Sequence, residues 1–183
     1  NNTGATSPCM SEILTVTKRS PSIATVLSAA SIAVGASAHD SSTITGATAN
    51  AGGTVTYSAY TDTACSLGAM DAGTKAVTNG IVPNSNNLSF PIAGTYYWQA
   101  VYSGDANNNG ATSPCLSEIL VVAKSTTTIT TTLSTTSTML PGTVTDSAVL
   151  TGATANAGGT VTYKFYNNSI CTTGEVNAGT KNV

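Results

Sequence analysis

The stretch GTYYWQAVYSGD at residues 94–105 gives the clearest indication of the fold. Tyr96, Trp98, Ala100 and Tyr102 alternate with their neighbours along it. A repeat of two residues is the period of a β-strand with one buried face. We therefore expect this strand to contribute much of a hydrophobic core.

The flanking sequence shows the same period. TVTYSAY at residues 54–60 places Val55 and Tyr57 on one face, and turn-forming runs such as NAGG, VPNSNN and GDANNNG separate the strands. About seven short strands per hundred residues is typical of a two-sheet sandwich. The sequence thus predicts an all-β fold, with a core that includes Trp98, Tyr96, Tyr102, Tyr57 and Val55.

The chain also repeats itself. NNTGATSPCMSEIL at residues 1–14 returns as NNNGATSPCLSEIL at 107–120, and TGATANAGGTVTY at 45–57 is identical at 151–163. Cys9 matches Cys115 and Cys65 matches Cys171, an offset of 106 residues in both cases. A period of this length indicates tandem whole domains rather than a short-repeat solenoid.

The repeat sets the expected domain boundaries. Residues 1–17 correspond to the last strand of a preceding repeat, 18–124 to one complete repeat, and 125–183 to the N-terminal part of a following repeat. We interpret the chain as one part of a longer array of repeats. The alternative is a subunit that neighbouring chains complete.

Composition excludes several classes of function. Only 8% of the residues are charged, the net charge is −2, and the six Lys and Arg residues are scattered. Nucleic-acid binding requires a clustered basic surface, which this pattern does not predict. No apolar run reaches the roughly 18–20 residues of a membrane span, so none is expected in this segment. A hydroxyl-rich, charge-poor chain favours an extracellular or cell-surface location.

AGTYYWQAVYSGDANNNGATSPC, at residues 93–115, resembles the last two strands of bacterial and archaeal immunoglobulin-like repeat domains, and GGTVTY with its following cysteine resembles their third strand. The resemblance implies an immunoglobulin-like β-sandwich, with Tyr96 in the position of the tyrosine corner. Trp98 stands where antibody-type domains have a core cysteine. Any disulfide must therefore be a different one, nearer the end of the sandwich.

In the fold that the resemblance implies, Cys65 follows the third strand and Cys115 precedes the last strand, and these two elements are neighbours in one sheet. A disulfide between the two cysteines is therefore expected. Two free thiols are the alternative, and the spacing does not suit a zinc site. Cys9 and Cys171 would pair with cysteines outside this part of the array. If the chain is a subunit, Cys9 of one molecule would instead bridge Cys171 of the next.

Other motifs have less specific interpretations. DANNNG at residues 105–110 offers Asp105, Asn107 and Asn109 as a weak calcium site, but Leu116 stands where an EF-hand has glutamate, so a hairpin turn is preferred. His39 is the only histidine and has Thr145 as its counterpart, which argues against a catalytic base; Asp40 beside it is expected to support a turn.

Two kinds of modification are also open. Lys18 and Lys75, matched by Lys124 and Lys181, could form lysine–asparagine crosslinks if an acid were buried beside them. A solvated lysine is the alternative, and Lys18, next to Arg19 at the repeat junction, is expected to be exposed. Glycosylation sequons begin at Asn1, Asn87 and Asn167.

Taken together, the sequence predicts a structural protein without enzymatic activity or cofactor: a stalk, fibre or adhesin shaft. Its partners would be neighbouring immunoglobulin-like repeats or identical chains in a fibre. The alternatives are a self-assembling filament subunit completed by strand exchange, and a module that binds a glycan or protein ligand at the cell surface.

Overall fold

Residues 1–183 contain β-strands, turns and irregular segments but no helix in the computed structural model, which confirms the all-β class. The chain divides between Ala123 and Lys124 into two units, one residue before the predicted boundary. The first unit has ten strands: β1 (Ser22–Leu27), β2 (Ser31–Ala33), β3 (Ser37–Ala38), β4 (Asp40–Thr45), β5 (Thr54–Tyr60), β6 (Met70–Ala76), β7 (Leu88–Ser89), β8 (Gly94–Tyr102), β9 (Ala111–Thr112) and β10 (Glu118–Ala123).

Most of these strands belong to one sheet, in the order β2–β10–β8–β5–β6, with β9 beside β8. The β2–β10 pair is parallel and the others are antiparallel. The β1 and β4 strands form a separate antiparallel pair, and β1 packs against β8 and β10. The inward side chains of β1 therefore meet the inner face of the larger sheet.

Strand β8 lies at the centre of the core. Trp98 is fully buried, with Ala59 of β5 and Glu118 of β10 opposite it on either side. The ring of Phe90 lies 4.7 Å from that of Tyr96 and 6.3 Å from that of Trp98, both tilted, as aromatic pairs prefer. The side chains predicted for the core are all buried: Trp98, Tyr96, Tyr102, Tyr57 and Val55.

Residues 1–17 differ from the expectation because they contain no strand. Their counterparts at 107–123 contain β9 and β10, and β10 lies hydrogen-bonded between β8 and β2. No strand pairs with residues 1–17, so their backbone lacks the neighbours that hold β10. Leu14 is 88% exposed and Val16 is 84% exposed.

The second unit consists of two antiparallel pairs, made from β11 (Thr128–Leu133) with β12 (Asp146–Thr151) and β13 (Thr160–Phe165) with β14 (Val176–Asn182). Thr128 pairs with Thr151, just as its counterpart Ser22 pairs with Thr45. Phe165 is 58% exposed, whereas its counterpart Ala59 is fully buried, because this unit has no strand equivalent to β8 beside β13.

We expect Trp98→Ala to destabilise the first unit by about 3–5 kcal/mol, because it removes a buried indole and leaves a cavity. Tyr97→Ala is the matched control, since Tyr97 precedes Trp98 on the same strand and is only half-buried. Urea unfolding measures the loss of unfolding free energy in both variants. It is followed by far-ultraviolet circular dichroism, a backbone signal that does not depend on the tryptophan. Equal losses for the two variants would contradict the central role of the inner face.

Candidate functional site

The structure joins Cys65 and Cys115 in a disulfide, the pair expected from the sequence. Both cysteine residues are half-buried. Cys65 follows β5 and Cys115 precedes β10, so the bond ties together segments that adjoin the two strands flanking β8. Cys9 and Cys171 are free and exposed.

Asp62 holds the loop that carries Cys65. Its carboxylate accepts hydrogen bonds from the backbone N–H groups of Leu67, Ser66 and Ala64, and from the hydroxyl of Ser66. These donors, with Leu67 and Ser66 the strongest, lower the pKa of Asp62 to about 2. The loop is therefore organised around an ionised carboxylate.

Asp105 organises the turn after β8 in a similar way. It accepts hydrogen bonds from the backbone N–H groups of Gly52, Asn107 and Asn108, and from the side-chain amide of Asn108. The Gly52 N–H contributes most to lowering the pKa of Asp105 to about 2. Gly104 has φ of 73°, and a side chain there would meet the carbonyl of Asn108.

These contacts favour the hairpin-turn interpretation of DANNNG over a calcium site. The Asp105 oxygens are occupied by N–H donors, and Asn109 directs its amide to the Ser20 hydroxyl at 3.1 Å. No group of three or more His, Cys, Asp or Glu side chains is placed to hold a metal ion.

The key amide of this turn is that of Asn108, which the calcium-loop pattern in the sequence does not single out. It is 1% exposed, accepts a hydrogen bond from the Thr48 backbone N–H and donates one to the Thr48 hydroxyl, both at 2.9 Å. The sequence contained a signal for it: Asn108 recurs as Asn2, whereas Asn109 is replaced by Thr3.

Asp40 is not the turn residue that was expected. It is the first residue of β4, and its side chain is fully buried between the layers. Neither carboxyl oxygen accepts a hydrogen bond, and the indole Nε1 of Trp98 is likewise without a partner. The prediction was wrong because strand alternation, which places Asp40 on the inner face with Ser42 and Ile44, dominates over the turn propensity of aspartate.

Glu118 is the acidic partner across the layers. It lies opposite Trp98 on β10, and its Oε2 accepts a hydrogen bond of 3.0 Å from the backbone N–H of Leu27, the residue paired with Asp40. Burial, and secondarily the Glu118 charge, raises the pKa of Asp40 from 3.8 to about 7. The sequence signal was again recurrence, since Asp146 and Glu12 match this pair.

Tyr57 extends this polar cluster. Its hydroxyl lies 2.6 Å from the Ser42 hydroxyl and donates to the Pro83 carbonyl at 3.1 Å. Burial raises the pKa of Tyr57, and the charge of Asp40 adds to the effect. The cluster thus contains one fully buried carboxyl group, that of Asp40, together with the Glu118 carboxylate and the hydroxyls of Ser42 and Tyr57.

The remaining predicted residues lie apart from this cluster or make local contacts. His39 is half-buried and its Nδ1 lies 3.1 Å from Asn87 Oδ1. Asn87, Asn1 and Asn167, the three sequon residues, are exposed.

Lys75 meets an asparagine but not an acid. Its Nζ donates to Asn86 Oδ1 at 2.7 Å, while Lys18 donates to the Asp105 carbonyl. The one ion pair in the structure joins Lys164 and Glu175 in the second unit. The carboxylic acid that a lysine–asparagine crosslink requires is not supplied by the contacts of Lys75.

Comparison with protein-family models, with curated proteins and with solved structures found no match to this chain. The structure contains no helix with the length and apolar character needed to cross a membrane.

The double variant Cys65→Ser, Cys115→Ser should lose about 4 kcal/mol of unfolding free energy, because the bridge closes a loop of 50 residues. Cys9→Ser, Cys171→Ser is the control and should retain the parental stability, since those thiols are free and exposed. Urea denaturation without reductant measures both; parental stability in the first variant would contradict the prediction.

Asp40 should make stability depend on pH. The folded protein keeps its proton up to about pH 7, whereas the unfolded chain releases it near pH 3.8. Stability should therefore fall as pH rises from about 4 to 7, by a total on the order of 4 kcal/mol. The lowered pKa values of Asp62 and Asp105 act in the opposite direction and below this window.

Asp40→Asn should remove most of that slope, so that the variant matches the parent near pH 4 and exceeds its stability at pH 8. Urea unfolding at steps between pH 4 and pH 8 provides the measurement. Parallel curves for parent and variant would show that Asp40 titrates normally.

Proposed function

We propose that this chain is part of a structural, non-catalytic protein built from tandem immunoglobulin-like β-sandwich repeats, which serves outside the cell as a stalk, fibre or adhesin shaft. The observation that carries the proposal is where the chain enters and leaves the strands of the first unit. A shaft module must pass tension from one end to the other, and this unit has its entry and exit at opposite ends of β8.

The entry lies at the C-terminal end of β8. Arg19 donates its N–H to the Asn107 carbonyl and accepts one from Asn109, in the turn that follows β8. The exit lies at the other end, where Val122 pairs with Gly94, the first residue of β8. Nine residues of strand at about 3.3 Å each separate these ends by about 30 Å.

Once the β1–β4 pair, which precedes β2 in the chain, has separated, a pull on these ends would shear the parallel β2–β10 pair. Its two strands run in the same direction, while the force on β2 acts toward the entry and that on β10 toward the exit. The backbone bonds Val121 N–H to Ala30 carbonyl and Val34 N–H to Ala123 carbonyl, both 2.9 Å, then carry the load together. Shared loading of this kind suits a load-bearing module.

Other features support the immunoglobulin-like interpretation. The Tyr96 hydroxyl donates to the Ile92 carbonyl at 2.9 Å, a bond of the tyrosine-corner type. The antiparallel β10–β8–β5 series with a parallel β2 at its edge is compatible with that fold. The disulfide is consistent with an oxidising environment, and this supports placement outside the cell.

Force spectroscopy on the full chain, held between marker domains and carrying Cys9→Ser and Cys171→Ser, tests the mechanical role. With the bridge intact, residues between Cys65 and Cys115 cannot extend. Each freed residue adds at most about 3.6 Å, so reduction of the 50-residue loop should lengthen the extension step by roughly 180 Å.

Val34→Pro should speed unfolding under load several-fold, because it removes one N–H donor, worth about 1 kcal/mol, from the sheared ladder. Val34→Ala keeps that donor and serves as the control. If the parent extends without a resolvable force peak, or if the alanine and proline variants unfold alike, the load-bearing role of this pair is wrong.

A further inference from the structure

The chain contains two Asn–Gly pairs, Asn79–Gly80 and Asn109–Gly110, and both lie between strands of the first unit. An asparagine side chain can react with the backbone nitrogen of the residue that follows it. Glycine in that following position offers no Cβ to hinder the approach. The same reaction is therefore open to both pairs by sequence, but their surroundings in the fold differ.

The first pair lies in a closed hairpin turn. Thr78 and Ile81, on either side of the pair, exchange two backbone hydrogen bonds of 3.1 and 3.0 Å. The backbone N–H of Gly80 donates to the carbonyl of Ala51 at 2.9 Å, and Ala51 is fully buried. The nitrogen that would attack the Asn79 side chain is therefore held by a hydrogen bond, which must open before the nitrogen can react.

The second pair has no such restraint on its nitrogen. Gly110 is exposed and lies outside the strands, and its backbone N–H donates to no backbone carbonyl. The residue that approaches it is Gly104, where a Cβ would lie 2.7 Å from the Gly110 nitrogen. The Asn109 side chain is exposed, and its amide makes one hydrogen bond, of 3.1 Å, to the exposed hydroxyl of Ser20. The attacking nitrogen and the amide are thus both open to water.

We propose that Asn109 is a site of spontaneous deamidation, at which the folded chain converts its asparagine to a mixture of aspartate and isoaspartate, and that the hairpin turn protects Asn79 from the same reaction. Water is the only co-reactant, and no enzyme or cofactor is needed. This site does not depend on the proposed shaft function, since it concerns the chemistry of one turn in the absence of load.

The reaction has two steps. The Gly110 nitrogen loses its proton to solvent and forms a bond to Cγ of Asn109. The bond from Cγ to the side-chain nitrogen breaks, so that ammonia leaves with a proton and a cyclic imide remains. Water then opens the imide at either carbonyl. Attack at Cγ gives aspartate, whereas attack at the α-carbonyl passes the main chain through Cβ and gives isoaspartate. The net change is amide plus water to carboxylate plus ammonium.

Isoaspartate at this position would disturb the entry of the chain into the first unit. It inserts one more carbon–carbon bond, about 1.5 Å, into the main chain before Gly110. The backbone is tightly placed there, because a Cβ on Gly110 would already lie 2.9 Å from the carbonyl oxygen of Tyr102 in β8. The modified residue also carries the N–H that the Arg19 carbonyl accepts at 2.8 Å. We therefore expect isoaspartate to weaken that bond.

The test ages the full chain in mildly alkaline buffer and follows it by peptide mass spectrometry. After reduction and alkylation, trypsin releases residues 76–124 as one peptide, because no lysine or arginine interrupts it, and this peptide contains both asparagines. Fragmentation locates the mass gain, and electron-transfer spectra distinguish isoaspartate from aspartate. Asn109 should convert at least about fivefold faster than Asn79, the factor that one backbone hydrogen bond contributes.

Two controls separate the effect of the fold from that of the local sequence. In urea, where the Gly80 N–H is released from Ala51, the two asparagines should convert at similar rates. The variant Asn109→Thr carries the residue found at the matching position, Thr3, and should lose the conversion at 109 while Asn79 is unaffected. Equal rates in the folded chain, faster conversion at Asn79, or a difference that persists unchanged in urea would overturn the proposal.

Amide hydrogen exchange tests the consequence for the turn. The N–H of residue 109 should exchange faster in the aged chain than in the variant Asn109→Asp, which carries the same charge without the added main-chain bond. Equal exchange rates would show that isoaspartate leaves the Arg19 contact intact, and would overturn the expected disturbance of the entry.

Discussion

The structure depends on strand β8, which lies between β5 and β10 in the larger sheet. The segment TGATANAGGTVTY occurs twice, at residues 45–57 and 151–163, and thus allows a direct comparison. Val55 and Tyr57 are fully buried in the first unit, whereas the identical Val161 and Tyr163 are only half-buried in the second. Strand pairing is the same in both, down to a register shift in the middle of β5 and of β13. Local sequence therefore suffices for the hairpins, but full burial of their inner side chains accompanies the aromatic strand β8, which pairs beside β5.

The same contrast explains what the sequence could predict. Alternation identifies the inward residues of β5 and β8 because the period of a strand is local information. The pairing of Cys65 with Cys115 followed from a resemblance, which supplied the neighbour relation that spacing alone lacks. Residues 1–17 were predicted as a strand from their match to β10, but a strand exists only where another strand binds it. The alternating sequence pattern shows that a segment is able to form a strand, and the presence of a pairing strand determines whether it forms one.

Asp40 and Asn108 show a second limit. Both are buried polar residues, and composition-based reasoning places such residues at turns because they are usually exposed. Asn108 is buried at a turn because Thr48, distant in sequence, satisfies its amide. Asp40 is buried without any hydrogen bond to its carboxyl oxygens, so its protonated form is the one that the interior tolerates. Only 8% of the residues in this chain are charged, and two of its carboxyl groups, those of Asp40 and Glu118, interact at one place in the core.

The covalent and hydrogen-bonded constraints act on different parts of the first unit. The disulfide loop from Cys65 to Cys115 encloses β6 to β9, including the central β8, whereas β2 precedes the loop and β10 follows it. If the proposed tension passes through β2 and β10, the backbone bonds that it loads lie outside the loop. Their rupture would release the segments before Cys65 and after Cys115, while the bridge prevents extension of the strands between them. Under tension, a module with this arrangement would extend only by the residues before Cys65 and after Cys115, while the residues between the two cysteines would not extend.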